Sequence, residues 1–165
     1  MILRLAKVSL LAAIAVFYTI VVLNNLTDYG SNYEFVHHVL LMDTTFSGNH
    51  LMWRSIHVVP MQVGFYWGII AWESTVTVLT WLGVYKLARA VRGAAADFNA
   101  AKKIPVIAVT MGLLLWLLAF ITVGGEWFLM WQSKLWNGQE AAFRMFTVIG
   151  IVFLLLVRAD VEGQP

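Results

Sequence analysis

The chain has 165 residues, of which 61% are hydrophobic and only 12% are charged. This composition excludes a soluble globular domain and indicates an integral membrane protein. The net charge of +2 gives no indication of nucleic-acid binding, and the lack of cysteine excludes disulfides, thiolate metal sites and thiol catalysis.

Four apolar stretches follow one another along the chain, at about 5–23, 61–85, 105–124 and 139–157. Because about 20 helical residues cross a hydrocarbon core of roughly 30 Å, each stretch is long enough to span a bilayer. The first stretch follows Arg4 and Lys7 as a signal peptide would, but no A-x-A-like site closes it, so we expect a retained helix. The sequence predicts an all-α protein with one domain over 1–165, an antiparallel four-helix transmembrane bundle.

The basic residues predict the orientation of this bundle. With the N-terminus inside, eight of them fall on the inner side and three on the outer side. The inner set is Arg4, Lys7, Lys86, Arg89, Arg92, Lys102, Lys103 and Arg158, and the outer set is Arg54, Lys134 and Arg144. The positive-inside rule therefore predicts cytoplasmic termini, outer loops at 24–60 and 125–138, and an inner loop at 86–104.

The outer loops are predicted to contain short helices and to pack on each other as a compact cap. Ser31 and Glu34 form a capping-box pattern for one helix, and a second is expected at about 49–57. The Gly124-Gly125 pair is expected to end the third span. Tryptophan is enriched at membrane interfaces, and tryptophan and arginine are enriched at protein interfaces. Five such residues in the predicted outer loops are therefore candidates for contact with a partner. This set is Trp53, Arg54, Trp127, Trp131 and Trp136.

Glu73 lies in the middle of the second apolar stretch, which contains no basic residue before Lys86. A charge at that depth costs several kcal/mol, so we expect a neutral carboxyl that faces the bundle interior. Helical spacing puts Tyr66, Thr77 and Thr80 on the same face. One interpretation is a site for a proton, a cation or a polar ligand; the other is a structural hydrogen bond between helices. The same span holds a G-x-x-x-G pattern at Gly64 and Gly68, which permits close helix approach within the chain or between two copies.

The four histidines all fall in the first outer loop, at His37, His38, His50 and His57. With nearby carboxylates they are weak candidates for a zinc or copper site, but no H-x-x-x-H or H-E-x-x-H spacing is present. Hydrogen bonding at the interface is the favoured interpretation. A bis-histidine haem site is disfavoured because the spans themselves contain no histidine.

Several segments together resemble a known family. These are NNLTDYGSN, MDTTF, IIAWE around Glu73, and GGEWFLMWQSKLWNGQEAAFR. They are similar to a family of small bacterial four-helix integral membrane proteins that is catalogued as a domain of unknown function. The resemblance covers nearly the whole chain and implies a multi-pass protein of the bacterial inner membrane, but it implies no activity.

Two classes of function are carried forward. The first is an accessory or assembly subunit that docks on a larger membrane complex, which the small size and the aromatic outer loops favour. The second is a small binding or transport protein that uses Glu73. An enzyme acting on a lipid or a quinone comes third, without a motif to support it, and no resident cofactor is predicted. The expected surroundings are the lipid bilayer and either a larger complex or a homo-oligomer.

Overall fold

A computed structural model describes residues 1–162, and these residues form helices and loops without a strand. The six α-helices are α1 (Ile2–Thr27), α2 (Tyr29–Leu41), α3 (Val59–Ala90), α4 (Ala95–Ala101), α5 (Lys103–Leu114) and α6 (Gln139–Val157). A π-helical segment, Leu115–Trp127, continues α5, and single 3₁₀ turns lie at Met52–Arg54 and Met130–Gln132. The all-α prediction is therefore confirmed.

Three helical segments are long and apolar enough to cross a membrane. They are Ile2–Thr27, Ala95–Trp127 and Gln139–Val157. The longest single helix, α3 with 32 residues, is not among them, because Glu73, one serine, three threonines and several tryptophan and tyrosine residues lower its mean hydropathy. It nevertheless contains the whole of the second apolar stretch, so the four-span bundle stays a prediction.

The centre of the protein is the contact of α3 with α1 on one side and α5 on the other. The main apolar core contains side chains from these helices and from α6, including Leu11, Val76, Val109 and Ile149. Two helices can approach each other more closely where one of them has a glycine, because glycine has no side chain. A β-carbon added to Gly112 would lie 2.7 Å from the Tyr18 hydroxyl oxygen, so glycine is what allows α5 to approach α1 there.

The predicted helix at about 49–57 is wrong. Only the single turn Met52–Arg54 forms, and the chain is extended from Ser55. Two main-chain N–H groups that a helix would use are hydrogen-bonded elsewhere. The Leu51 N–H donates to Asn49 Oδ1 over 2.8 Å, and the Ile56 N–H donates to the Leu40 carbonyl oxygen over 2.8 Å. Such short-range bonds from asparagine compete with helix formation.

Two predicted helix boundaries are also wrong. The capping box at Ser31 is absent, since α2 begins at Tyr29 without a side-chain capping bond. The Gly124-Gly125 pair does not end the third helix, which continues as a π-helix to Trp127. Both glycines are buried, and Gly125 packs directly on the side chain of Gln139 at the start of α6. Their role is close packing rather than helix termination.

The two outer segments contact each other, as predicted from their aromatic content. Thr44 Oγ1 donates to Ser133 Oγ over 2.8 Å, and the Phe46 N–H donates to Gln132 Oε1 over 2.9 Å. The His38 ring stacks on Trp136, with ring centroids 4.6 Å apart. These contacts form a cap at one end of the helices, above α3.

Candidate functional site

Glu73 lies on α3 at the contact with α1, and only 2% of its surface is exposed. Its Oε2 accepts a hydrogen bond of 2.6 Å from Nδ2 of Asn25 on α1. The Tyr66 hydroxyl donates to the same asparagine, 3.0 Å from its main-chain oxygen and 3.3 Å from Oδ1. These three residues form one hydrogen-bonded group, which we call the Glu73 cluster.

The other two predicted neighbours of Glu73 do not reach its carboxyl group. Thr77 Oγ1 donates to the main-chain oxygen of Glu73 over 2.8 Å, and Thr80 Oγ1 donates to the main-chain oxygen of Val76 over 2.6 Å. Both hydroxyls are therefore satisfied by the turn that precedes them in α3, a common arrangement for threonine inside a helix. Only Tyr66 joins the carboxyl group, and it does so through Asn25.

Asn25 is the cluster member that sequence reasoning did not identify. The sequence predicts that the first span ends at about residue 23 and places Asn25 in the loop, whereas α1 runs on to Thr27. A primary amide has two N–H donors and an oxygen acceptor, so it can serve a carboxyl group and a phenol at the same time. A polar amide within the last turns of an apolar helix was the available signal.

A second polar group lies between the Glu73 cluster and the cap. Its centre is Gln62, which is fully buried near the start of α3. Gln62 Oε1 accepts from the Tyr33 hydroxyl over 3.1 Å and from His37 Nδ1 over 2.7 Å, while its Nε2 donates to the Ile56 oxygen over 2.7 Å. The His37 contact requires the proton on Nδ1, since an amide oxygen only accepts.

Aromatic rings fill the space between the two polar groups. The Tyr29 ring packs edge-on against Tyr66 with centroids 4.9 Å apart, and the Tyr33 ring lies 6.0 Å from Tyr66. Buried phenols and indoles keep their polar ends hydrogen-bonded while their rings pack as apolar surface. Together the two groups connect α2, α3 and α1, and Glu73 does not line the groove described below.

Each histidine has its own polar surroundings, although the rings of His37 and His38 pack edge-on with centroids 5.3 Å apart. His38 Nδ1 lies 2.7 Å from Asp43 Oδ2, and its Nε2 lies 3.5 Å from Glu34 Oε2. His57 contacts the hydroxyl of Ser55 over 2.9 Å, and His50 is exposed. His38 uses a different ring nitrogen for each carboxylate, and among residues 1–162 no three histidine or carboxylate side chains are arranged so that they could hold one metal ion.

The candidate interface residues divide into two groups. Trp131 packs edge-on against Phe46, and Trp136 stacks on His38, so both help to hold the cap together. Trp53 and Trp127 instead contact each other edge-on and pack against Arg54, whose guanidinium carbon lies 5.4 and 4.5 Å from their ring centroids. We call these three residues the Arg54 clamp.

Comparison with known families agrees with the membrane-protein composition and the helical fold. The model of a family described as "predicted small integral membrane protein (DUF2165)" matches residues 3–159, which is nearly the full chain. The chain belongs to this family. The resemblance seen in the sequence is thereby confirmed, and the DUF2165 description gives no activity. Searches of curated proteins and of solved structures gave no match.

Proposed function

We propose that this DUF2165 protein is an accessory or assembly subunit of a larger complex in the bacterial inner membrane, and that it docks through the Arg54 clamp. The observation that carries the proposal is a guanidinium packed against two indole rings that contact each other edge-on, with 70% of Trp53 exposed. Tryptophan and arginine are the residues that most often dominate the binding energy of protein interfaces.

The hydrogen bonding of Arg54 indicates the chemistry of the partner. In residues 1–162 its guanidinium has no carboxylate partner; Nη1 donates to the Trp127 oxygen over 3.3 Å, and the buried Nε has no hydrogen-bond acceptor. An arginine fork binds a carboxylate with two parallel hydrogen bonds, and it does so best where water is excluded. We therefore expect the partner to present an acidic side chain, flanked by apolar surface that covers Trp53.

The proposal includes α3 as a fourth span, with both termini cytoplasmic. The polar residues of α3 that would be costly in lipid face inward, since Gln62, Glu73 and Thr80 are all buried. Within 61–85, its exposed large side chains are apolar or aromatic: Met61, Phe65, Trp67, Val78, Trp81, Leu82 and Tyr85. An outward apolar face with an inward polar face is what a bilayer selects. The basic bias of the predicted inner side supports the orientation.

The test is purification of the tagged chain from native membranes in a mild detergent. We expect a stoichiometric membrane-protein partner that is lost in Trp53→Ala/Arg54→Gln. The matched control is Trp67→Ala/Arg144→Gln, which removes an exposed tryptophan and an exposed arginine elsewhere and should retain the partner. Recovery of monomers or homo-oligomers alone, or equal loss in both variants, would contradict the docking proposal.

The second candidate function is proton, cation or ligand binding at the Glu73 cluster. It is favoured by the carboxyl group of Glu73, which has one side-chain donor, Asn25, and no basic residue within ion-pair distance in residues 1–162. The test is proton or cation flux into liposomes containing the purified chain. Flux that disappears in Glu73→Gln while the fold is kept would support this function over docking, whereas no flux in the wild type would reject it.

A further inference from the structure

A buried group of ionic side chains lies where α1 begins and α6 ends. The Asp160 carboxyl group contacts Lys102 Nζ at 2.5 Å, Lys7 Nζ at 2.7 Å and Arg4 Nε at 3.8 Å. All four side chains are between 5% and 13% exposed. Three cations surround one carboxylate, so the group carries an excess of two positive charges in a place with little access to water.

The acidic residues nearby do not remove this excess. Glu162 accepts a hydrogen bond from the Ala95 N–H, and Asp97 is exposed. Over the whole end of the molecule, eight basic residues face only three acidic ones, Asp97, Asp160 and Glu162. A charge excess that is partly shielded from water is screened weakly by salt and attracts a counter-anion.

An open groove runs between α5 and α6 beside this ionic group. Its volume is about 720 Å³, within the range of about 300 to 1,000 Å³ that small-molecule sites occupy. Asn99, Lys102 and Lys103 line one end. Val106, Ile107 and Val157 line the rest, with Ala159 at the junction. The groove is thus polar and basic at the predicted membrane surface and apolar toward the predicted membrane interior.

Lys103 is the cation that is free to bind at this groove. Lys102 is already engaged by Asp160, the Arg158 oxygen and Asn99 Oδ1. The Lys103 side chain is exposed, and within residues 1–162 it forms no hydrogen bond or ion pair. Lys103 is the first residue of α5, which places its ammonium group at the predicted height of the lipid headgroups.

We propose that the groove between α5 and α6 is a binding site for an anionic phospholipid. The phosphate lies against Lys103 and the Asn99 amide, and an acyl chain follows Val106, Ile107 and Val157 into the bilayer. A lipid with net negative charge offsets the excess of the ionic group, whereas a zwitterionic lipid adds a cation of its own. Basic pockets between spans on the cytoplasmic side commonly bind anionic headgroups for this reason.

The test is native mass spectrometry of the full chain in mild detergent, with equal amounts of phosphatidylglycerol and phosphatidylcholine that have the same acyl chains. We expect the wild type to retain phosphatidylglycerol preferentially. Lys103→Gln should lower that affinity by roughly fivefold, since a basic side chain near an anionic surface contributes about 1 kcal/mol. Lys103→Glu should lower it further. Melting of each variant in lipid-free detergent checks that the fold is kept.

Two matched controls separate a site from general charge attraction. Lys86→Gln removes an exposed lysine from the same end of the molecule, and Lys134→Gln removes one from the cap. Both should retain the phosphatidylglycerol preference of the wild type. Three results would each overturn the proposal. The wild type could retain the two lipids equally, or Lys103→Glu could keep the preference for phosphatidylglycerol. Alternatively, Lys86→Gln could lose as much affinity for phosphatidylglycerol as Lys103→Gln.

Discussion

Asn25 donates a 2.6 Å hydrogen bond to the Glu73 carboxyl group and so ties α1 to α3 across 48 residues of sequence. The same asparagine accepts from the Tyr66 hydroxyl, over 3.0 Å at its main-chain oxygen and 3.3 Å at Oδ1, so one residue satisfies a carboxyl group and a phenol that are both buried. In a low-dielectric interior, each polar group without a hydrogen-bond partner lowers the stability of the fold. Because Glu73 and Tyr66 share Asn25 as their partner, the hydrogen bonding of both groups depends on this one residue.

The first prediction is that Asn25→Ala destabilises the fold. Hydrogen bonds between membrane helices average about 0.6 kcal/mol. This change leaves the buried Glu73 carboxyl group without its donor, whereas Tyr66 keeps the main-chain oxygen of residue 25 as its acceptor. We therefore expect a loss of about 1–3 kcal/mol in the free energy of unfolding. Tryptophan fluorescence during thermal unfolding in detergent measures it. Asn24→Ala is the matched control, because that side chain is exposed and makes no hydrogen bond in residues 1–162. Equal loss in both variants would show that the cluster contributes nothing.

The second prediction concerns Glu73→Gln. Glutamine keeps the side-chain oxygen that accepts from Asn25 and adds no charge, so unfolding should change by less than about 0.5 kcal/mol. Glu73→Ala should lower the free energy of unfolding by more than this, because it leaves the Asn25 amide without its acceptor and also creates a cavity. An infrared difference spectrum between the wild type and Glu73→Gln should contain the band of a protonated carboxylic acid at neutral pH. A carboxylate band there would refute the neutral assignment.

The apolar stretches were predictable because a bilayer requires long runs in which the helix satisfies its own backbone. Each predicted stretch lies inside a helix or its π-helical continuation. Periodicity also predicted that Tyr66 and Glu73 share a face of α3. Asn25 could not be predicted in the same way, since its contact depends on how far α1 is shifted along α3, which no local pattern specifies.

Failures at short range had a different cause. In the 49–57 segment, the spacing of apolar residues favours a helix. The hydrogen bonds from Leu51 to Asn49 and from Ile56 to Leu40 instead hold the segment in a non-helical conformation. The Gly124-Gly125 pair has two uses, ending a helix or admitting a neighbour, and only the tertiary contact with Gln139 decides between them. Asp160 went unnoticed because the surrounding lysines and arginine were interpreted only as topogenic charges.

The third prediction is a loss of stability in acid through Asp160. Burial alone would raise the pKa of its carboxyl group, but the hydrogen bonds and charges of Lys102 and Lys7 outweigh burial and hold the pKa below its ordinary value. The unfolded carboxyl titrates near 3.9. The stabilisation is therefore present above about pH 4 and is lost as the pH falls through the lower folded value. Melting temperature measured from pH 7 to pH 3 follows this loss.

Asp160→Asn should remove this acid dependence and lower stability at neutral pH. Breaking a buried ion pair on one side costs about 3–5 kcal/mol, since it leaves buried charges uncompensated. Asp97→Asn is the control, because that carboxylate lies at the same end but is exposed. A melting temperature at pH 7 that Asp160→Asn leaves unchanged would contradict the role given to this residue.

The last prediction compares glycines at which an added methyl group meets different surroundings. A β-carbon on Gly83 would lie 2.9 Å from Pro105 Cγ and 3.2 Å from its Cα, and one on Gly112 would lie 2.7 Å from the Tyr18 hydroxyl. Neither neighbour moves easily, because proline is rigid and Tyr18 accepts a 2.9 Å bond from Trp116. Gly83→Ala and Gly112→Ala should each cost about 1–3 kcal/mol. Gly68→Ala meets nothing within 4 Å and should gain up to about 1 kcal/mol of helix propensity. A different result for Gly68→Ala would be informative. If this variant is less stable than the wild type, and the difference grows with protein concentration, this face of α3 packs against a second copy of the chain. If all three variants have the same melting temperature, the packing described for α1, α3 and α5 is wrong.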